Sequence, residues 1–174
     1  MRDGQTLEAL WDREAIRDCM MRYCRGIDRC DRETLRSVYW PDGTEDHQAF
    51  SGNAYDFIDW CLPLTARALR TMHTVGNILI DLRGSQAKIE THFHAYEGQR
   101  RKDGTSFEVI VGGRYLDTME KRVGEWRILH RVMLVDWFRN MGAPDDIAGG
   151  VYGKGPERMG RHDMEDLSVQ HFKS

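Results

Sequence analysis

The hydrophobic period of this chain changes once, near residue 70, and that change limits what it can fold into. Before it, apolar residues recur every three or four positions; after it, they alternate every second position. A first helix is predicted over residues 6–28, with Leu7, Leu10, Trp11, Ile16, Met20, Tyr23, Cys24 and Ile27 on one face. Asp12, Arg13, Arg17 and Asp18 cover the other. Gly26 and the polar run 28–31 mark its exit, and Asp31 caps a short second helix over 32–39. Trp40-Pro41-Asp42-Gly43 then breaks the chain. A third helix is predicted over 54–69, kinked or divided by Pro63.

Beyond residue 70, Ile78 and Ile80 alternate with Asn77, Leu79 and Asp81, and a turn falls at 83–86. Ile89, Thr91, Phe93 and Ala95 then alternate with Glu90, His92, His94 and Tyr96. Strands over 107–119 and 126–138 follow, and Gly112-Gly113 in mid-strand reads as a bulge rather than a phosphate cradle. A meander of long antiparallel strands must bury one face, and the preceding helices are the only cover available. The fold class is therefore α+β, a curved, cone-shaped antiparallel sheet covered by N-terminal helices. The domain is expected to span 1–140, with 141–174, rich in glycine and charge, as an irregular arm or lid.

Length and composition narrow the function classes. The 174 residues suit one domain, and 40% hydrophobic with 30% charged residues provides a core. A net charge of -3 leaves no basic excess to neutralise phosphates, so no nucleic-acid partner is expected. The longest aliphatic run, 132–135, is far short of the roughly 20 residues a membrane span needs. Charges occupy the N-terminus where a secretory signal requires an apolar run, so a cytoplasmic location is expected. Cys19, Cys24, Cys30 and Cys61 follow no paired spacing, which favours free thiols over disulfides or zinc. No glycine-rich nucleotide motif occurs, and neither a cofactor nor a metal is expected. His92 and His94 share a strand face with Glu90 and Tyr96, opposite the apolar set, so they are not read as metal ligands.

Specific residues add a resemblance. Tyr23-Cys24-Arg25-Gly26-Ile27-Asp28 with Asp31, and Thr71-Met72-His73-Thr74-Val75-Gly76-Asn77, resemble motifs of the SnoaL-like branch of the nuclear transport factor 2-like superfamily. Gly113-Arg114-Tyr115-Leu116-Asp117, Gly124-Glu125-Trp126 and the stretch from His130-Arg131 to Asp136-Trp137 extend the resemblance to the last two strands. It implies a deep apolar pocket and, by analogy with scytalone dehydratase, bile-acid 7α-dehydratase and hexachlorocyclohexane dehydrochlorinase, a histidine base paired with an aspartate. The matching residues are His73 and Asp28. A neutral imidazole accepts a carbon-bound proton near neutral pH, and a carboxylate on its other nitrogen fixes the tautomer. Tyr23 either donates to a substrate carbonyl or belongs to the apolar face of its helix. Arg131 is either a pocket residue or the partner of a buried acid such as Asp117. Tyr115, Phe93, Met133, Trp137 and Met72 are expected to line the pocket around a flat ring.

The resemblance implies a cofactor-independent, dehydratase-like lyase acting on a small hydrophobic cyclic compound. Two alternatives remain at this point. One is isomerisation or cyclisation by the same base. The other is a non-catalytic role, as the small subunit of a ring-hydroxylating dioxygenase or a ligand-binding module. The acid that protonates the leaving group has no evident residue, because its expected place falls on Ala95 or Glu97. The resemblance also implies a homo-oligomer, specifically a trimer.

Overall fold

The computed structural model describes residues 6–144, 160–161 and 163–172. Helix α1 (Leu7–Asp28) starts where the Thr6 hydroxyl accepts the Ala9 N–H at 3.1 Å. Asp31 caps α2 (Arg32–Val38) in the same way, through the Thr34 N–H. Asn53 caps α3 (Ala54–Thr65). The chain also forms β1 (Tyr39–Asp46) and β2 (Ser51–Asn53) ahead of α3, then β3 (Arg70–Arg83), β4 (Gln86–Arg100), β5 (Ser106–Arg122) and β6 (Glu125–Gly142). A short α4 (Leu167–His171) ends the described chain.

The six strands form one open sheet in the order β2-β1-β6-β5-β4-β3. All neighbours are antiparallel except β1 and β6, which run parallel. The β3–β6 meander is antiparallel as expected, whereas residues 40–43, expected as a simple chain break, belong to a strand that pairs in parallel with β6. Tyr-Trp-Pro-Asp-Gly-Thr-Glu-Asp has no alternation of apolar residues, and Pro41 cannot donate to a ladder. It is accommodated because the register skips from Tyr39 to Thr44, so Pro41 and Gly43 need no pairing. Helix α3 is also shorter than expected. It passes Pro63 undivided and ends at Thr65.

Ile89, Thr91, Phe93 and Ala95 are buried on the concave face, as the alternation requires. Against them packs α1, through Ile16, Cys19, Met20, Tyr23 and Ile27. The first turns of α1 depart from the expected pattern. Leu7, Leu10 and Trp11 are exposed, whereas Asp12 is buried and accepts the Trp126 indole N–H at 2.8 Å. The bulge at Gly112-Gly113 is present as a register shift between β5 and β6. A Cβ on Gly113 would stand 2.1 Å from the Leu134 carbonyl oxygen, so only glycine permits this close strand approach.

Arg131 lies at the centre of the core, fully buried, and donates to both carboxylate oxygens of Asp117 at 2.7 and 2.8 Å. Its guanidinium sits 4.1 Å from the ring centre of Tyr23 and 4.2 Å from that of Tyr115. Burial alone would lower its pKa, but the Asp117 carboxylate and the neighbouring Tyr39 and Tyr23 together outweigh this and keep it charged. Among the described residues, no helix is long and apolar enough to cross a membrane. The expected arm from 141 onward falls partly outside the described residues. What is described of it, α4, buries Val169 and meets the C-terminal end of α1 through Arg25–Ser168 and Arg29–Asp166.

Removing one member of the buried ion pair leaves an uncompensated charge in the core. Arg131→Met or Asp117→Leu alone is expected to cost about 3–5 kcal/mol, and the double replacement much less than the sum. Urea unfolding midpoints of the three variants test this, and additive losses would contradict it.

Candidate active site

The open end of the cone, between α1, α3 and the ends of β3 and β4, holds a cavity of about 400 Å³. The antiparallel register builds one wall. It pairs Thr71 with Glu97 and His73 with Ala95, and Thr71, His73, Glu97 and Gln99 reach the cavity. Helix α3 and the turn after it supply Phe57, Trp60, Cys61, Leu64, Thr65, Arg67 and Ala68, while Tyr23 and Ile27 come from α1. Arg100 and His47 complete the lining.

His73 and Asp28 meet at the wall. Strand β3 is the edge of the sheet, so alternate backbone N–H groups have no strand partner. Asp28, the last residue of α1, fills that gap: its Oδ2 accepts the His73 backbone N–H at 2.8 Å. The other oxygen, Oδ1, lies 2.8 Å from His73 Nδ1. One carboxylate thus holds both the main chain and the ring of the same residue. This makes Nδ1–H the protonated nitrogen of the neutral ring and leaves Nε2 as the basic one. The two side chains are only 12% and 11% exposed, so water competes weakly for the pair.

Tyr23 lines the cavity and makes two T-shaped ring contacts, 5.6 Å from Tyr115 and 6.2 Å from Tyr39. Burial pushes its phenol well above the ordinary value, with neighbouring Tyr115 and Glu45 adding to the effect. It is therefore a neutral hydrogen-bond donor throughout the physiological range.

The other residues expected at the pocket lie elsewhere. Arg131 is sealed in the core with Asp117, which resolves the sequence ambiguity in favour of the ion pair. Phe93 and Tyr115 stack on each other at 4.4 Å as buried core, and Met133 packs against that core. None of these lines the cavity. Met72 is 58% exposed on the side of β3 opposite His73, because adjacent strand residues face opposite ways. Trp137 is on the outer face as well, 5.5 Å from the His94 ring. The bulge makes Gly113 pair with Val135 and Gly112 with Trp137, so Asp136 is the extra residue and the expected alternation is lost. The residues that sequence reasoning missed are His47, those of α3 and its exit, Ile27 on α1, Thr71 on β3, and Gln99 and Arg100 at the end of β4. The apolar face of α3 was a usable signal; nothing local indicated that the turn after β1 would return to the same cavity.

Among the described residues, no three His, Cys, Asp or Glu side chains are grouped to hold a metal ion. The four cysteines are free.

Helices covering an open curved sheet, with a cavity at the cone's end, define the α+β cone of the nuclear transport factor 2-like class. The SnoaL-like domain model matches residues 8–132, and the chain belongs to that family. Solved structures share the fold at low identity. A type 2 hexachlorocyclohexane dehydrochlorinase (LinA) is 17% identical with a TM-score of 0.72, covering 81% of this chain and 99% of that one. A putative scytalone dehydratase from Novosphingobium aromaticivorans is 22% identical with a TM-score of 0.66, over 81% and 96% of the two chains. The Kfla4162 protein of Kribbella flavida is 18% identical with a TM-score of 0.68, over 75% and 95%. Comparison with curated proteins gives no match.

Cys61 borders the cavity, yet burial pushes its thiol up to about 12, as it does for Cys19 and Cys24. In the unfolded chain these thiols titrate near 9.0. Between the two values the unfolded state has lost protons that the folded state keeps, so stability falls as pH rises above about 9. At about pH 8, iodoacetamide is expected to leave Cys19, Cys24 and Cys61 unmodified in the native protein and to label them in urea. Native-state labelling of Cys61, read by mass spectrometry, would contradict the assignment.

Proposed function

We propose that this protein is a cofactor-independent lyase of the dehydratase type. In this reading His73 takes a proton from the carbon beside a carbonyl of a small hydrophobic cyclic substrate. Asp28 orients the ring and stabilises the imidazolium that forms, and Tyr23 donates to the carbonyl oxygen as negative charge develops there. A hydroxyl on the next carbon then leaves as water. The observation that carries the reading is the contact of both His73 groups, backbone N–H and Nδ1, with Asp28 at a cavity wall. Apolar Ile27, Phe57, Trp60 and Leu64 in the lining suit a cyclic hydrocarbon frame. The similar hexachlorocyclohexane dehydrochlorinase and putative scytalone dehydratase support an elimination reaction by analogy.

The test is enone formation from 5-phenyl-3-hydroxycyclohexanone. His73→Gln is expected to abolish it, and Asp28→Asn to slow it by about 10²–10⁴-fold, with unfolding midpoints nearly unchanged for His73→Gln. Wild-type rates in His73→Gln would end the proposal. The same reading includes a homotrimer, in contact through the outer sheet face where Met72, Leu79 and Trp137 are exposed. Sedimentation equilibrium should then give three times the chain mass, and a monomer at every concentration would overturn it.

A further inference from the structure

Among the described residues two imidazoles line the cavity, and the second, His47, is built in the same way as the first. It stands just beyond β1, where its backbone N–H donates to the Phe50 carbonyl at 2.7 Å and closes the turn into β2. Its Nδ1 lies 2.9 Å from Glu45 Oε1, and its ring packs on Phe57 with centres 4.9 Å apart. Glu45 has a fully buried side chain. Its other oxygen, Oε2, accepts the Tyr39 hydroxyl at 2.6 Å. Burial pushes that phenol well above its ordinary value, so Tyr39 remains a donor.

A buried carboxylate is expensive, and an apolar residue of similar size would serve packing better. Both Glu45 oxygens are used to fix a tyrosine and an imidazole, and the imidazole reaches the cavity. The pairing leaves His47 Nε2 as the nitrogen free for a ligand, as the Asp28 contact does for His73. The two histidines come from distant parts of the sheet. His47 follows β1, next to one edge strand, whereas His73 is on β3, the opposite edge. Curvature of the sheet brings both to one cavity. A ligand held there has an acid–base group on two sides.

We infer that His47, positioned by Glu45, is the acid that protonates the leaving oxygen of the β-hydroxy ketone that the proposed lyase takes. This rests on the reading of His73 as the base. His73 Nε2 takes the proton from the carbon between carbonyl and carbinol, and that C–H electron pair forms the enolate. The enolate collapses to the carbon–carbon double bond as the β carbon–oxygen bond breaks. Protonated His47 gives its Nε2 proton to the departing oxygen, which leaves as water. The products are an enone and water, and His73 ends protonated with His47 neutral. Solvent exchange of one proton restores both.

The experiment follows two signals by NMR in D₂O on 5-phenyl-3-hydroxycyclohexanone: hydrogen–deuterium exchange at the carbon beside the carbonyl, and enone formation. His47→Gln retains a donor toward Glu45 but cannot deliver a proton. The ratio of enone formation to exchange is expected to fall at least about 100-fold in this variant. His47→Ala should show the same loss, partly restored by added imidazole. A wild-type ratio in both variants overturns the proposal. A purely structural role for His47 would lower exchange and elimination together, and that outcome overturns it too. The base reading is tested separately with 4-phenylcyclohexanone, which has no leaving group. Exchange into it must require His73, and exchange unaffected in His73→Gln defeats that reading whatever His47 does. A wild type that exchanges this ketone but neither exchanges nor dehydrates the hydroxy ketone rejects the β-hydroxy ketone class, and the proposal with it.

Discussion

The carboxylate of Asp28 ties the end of the longest helix to the edge of the sheet by accepting two hydrogen bonds from a single residue. Either bond alone would be ordinary. Together they fix the main chain of β3 and the ring plane of His73 with the same anion, so the imidazole has little rotational freedom to lose when a substrate arrives. They also satisfy an edge-strand amide that would otherwise face the cavity unpaired. The junction fixes β3 beside the cavity, and its partner β4 brings Glu97 and Gln99 to the same wall.

Behind the wall, polar groups are arranged around three tyrosines. Tyr23, Tyr39 and Tyr115 surround the Arg131 guanidinium, and Asp117 neutralises it. Glu45 meets this group through Tyr39 and continues to His47 at the cavity. A buried charge pair of this kind is a weak source of stability, because desolvation offsets its attraction, but losing either partner leaves the other uncompensated.

Much of the architecture was legible in the chain. The change of period at residue 70, the cap Asp31, and the alternation from Ile89 to Ala95 each reflect local physics that tertiary contacts did not override. The outward direction of Met72 was also readable, since it is adjacent to His73 on a strand and cannot share its face. Trp137 was not readable in that way. A one-residue bulge changed its facing, and the position of the extra residue depends on the partner strand. Strand β1 was hidden because its pairing with β6 is parallel and interrupted, and its residues show no apolar alternation.

The sequence by itself determined the class of fold, the covered face of the sheet and the kinds of side chain available for acid–base work, because these depend on period, capping and residue chemistry. Only the tertiary structure decided which of them share a cavity. Arg131, Tyr115 and Phe93 lie in the core, whereas His47, Trp60 and Thr65 line the open space. The reason is that a cavity is a property of how far the sheet curves and where α3 comes to rest. Both are set by contacts between residues far apart in the chain, which no local pattern encodes.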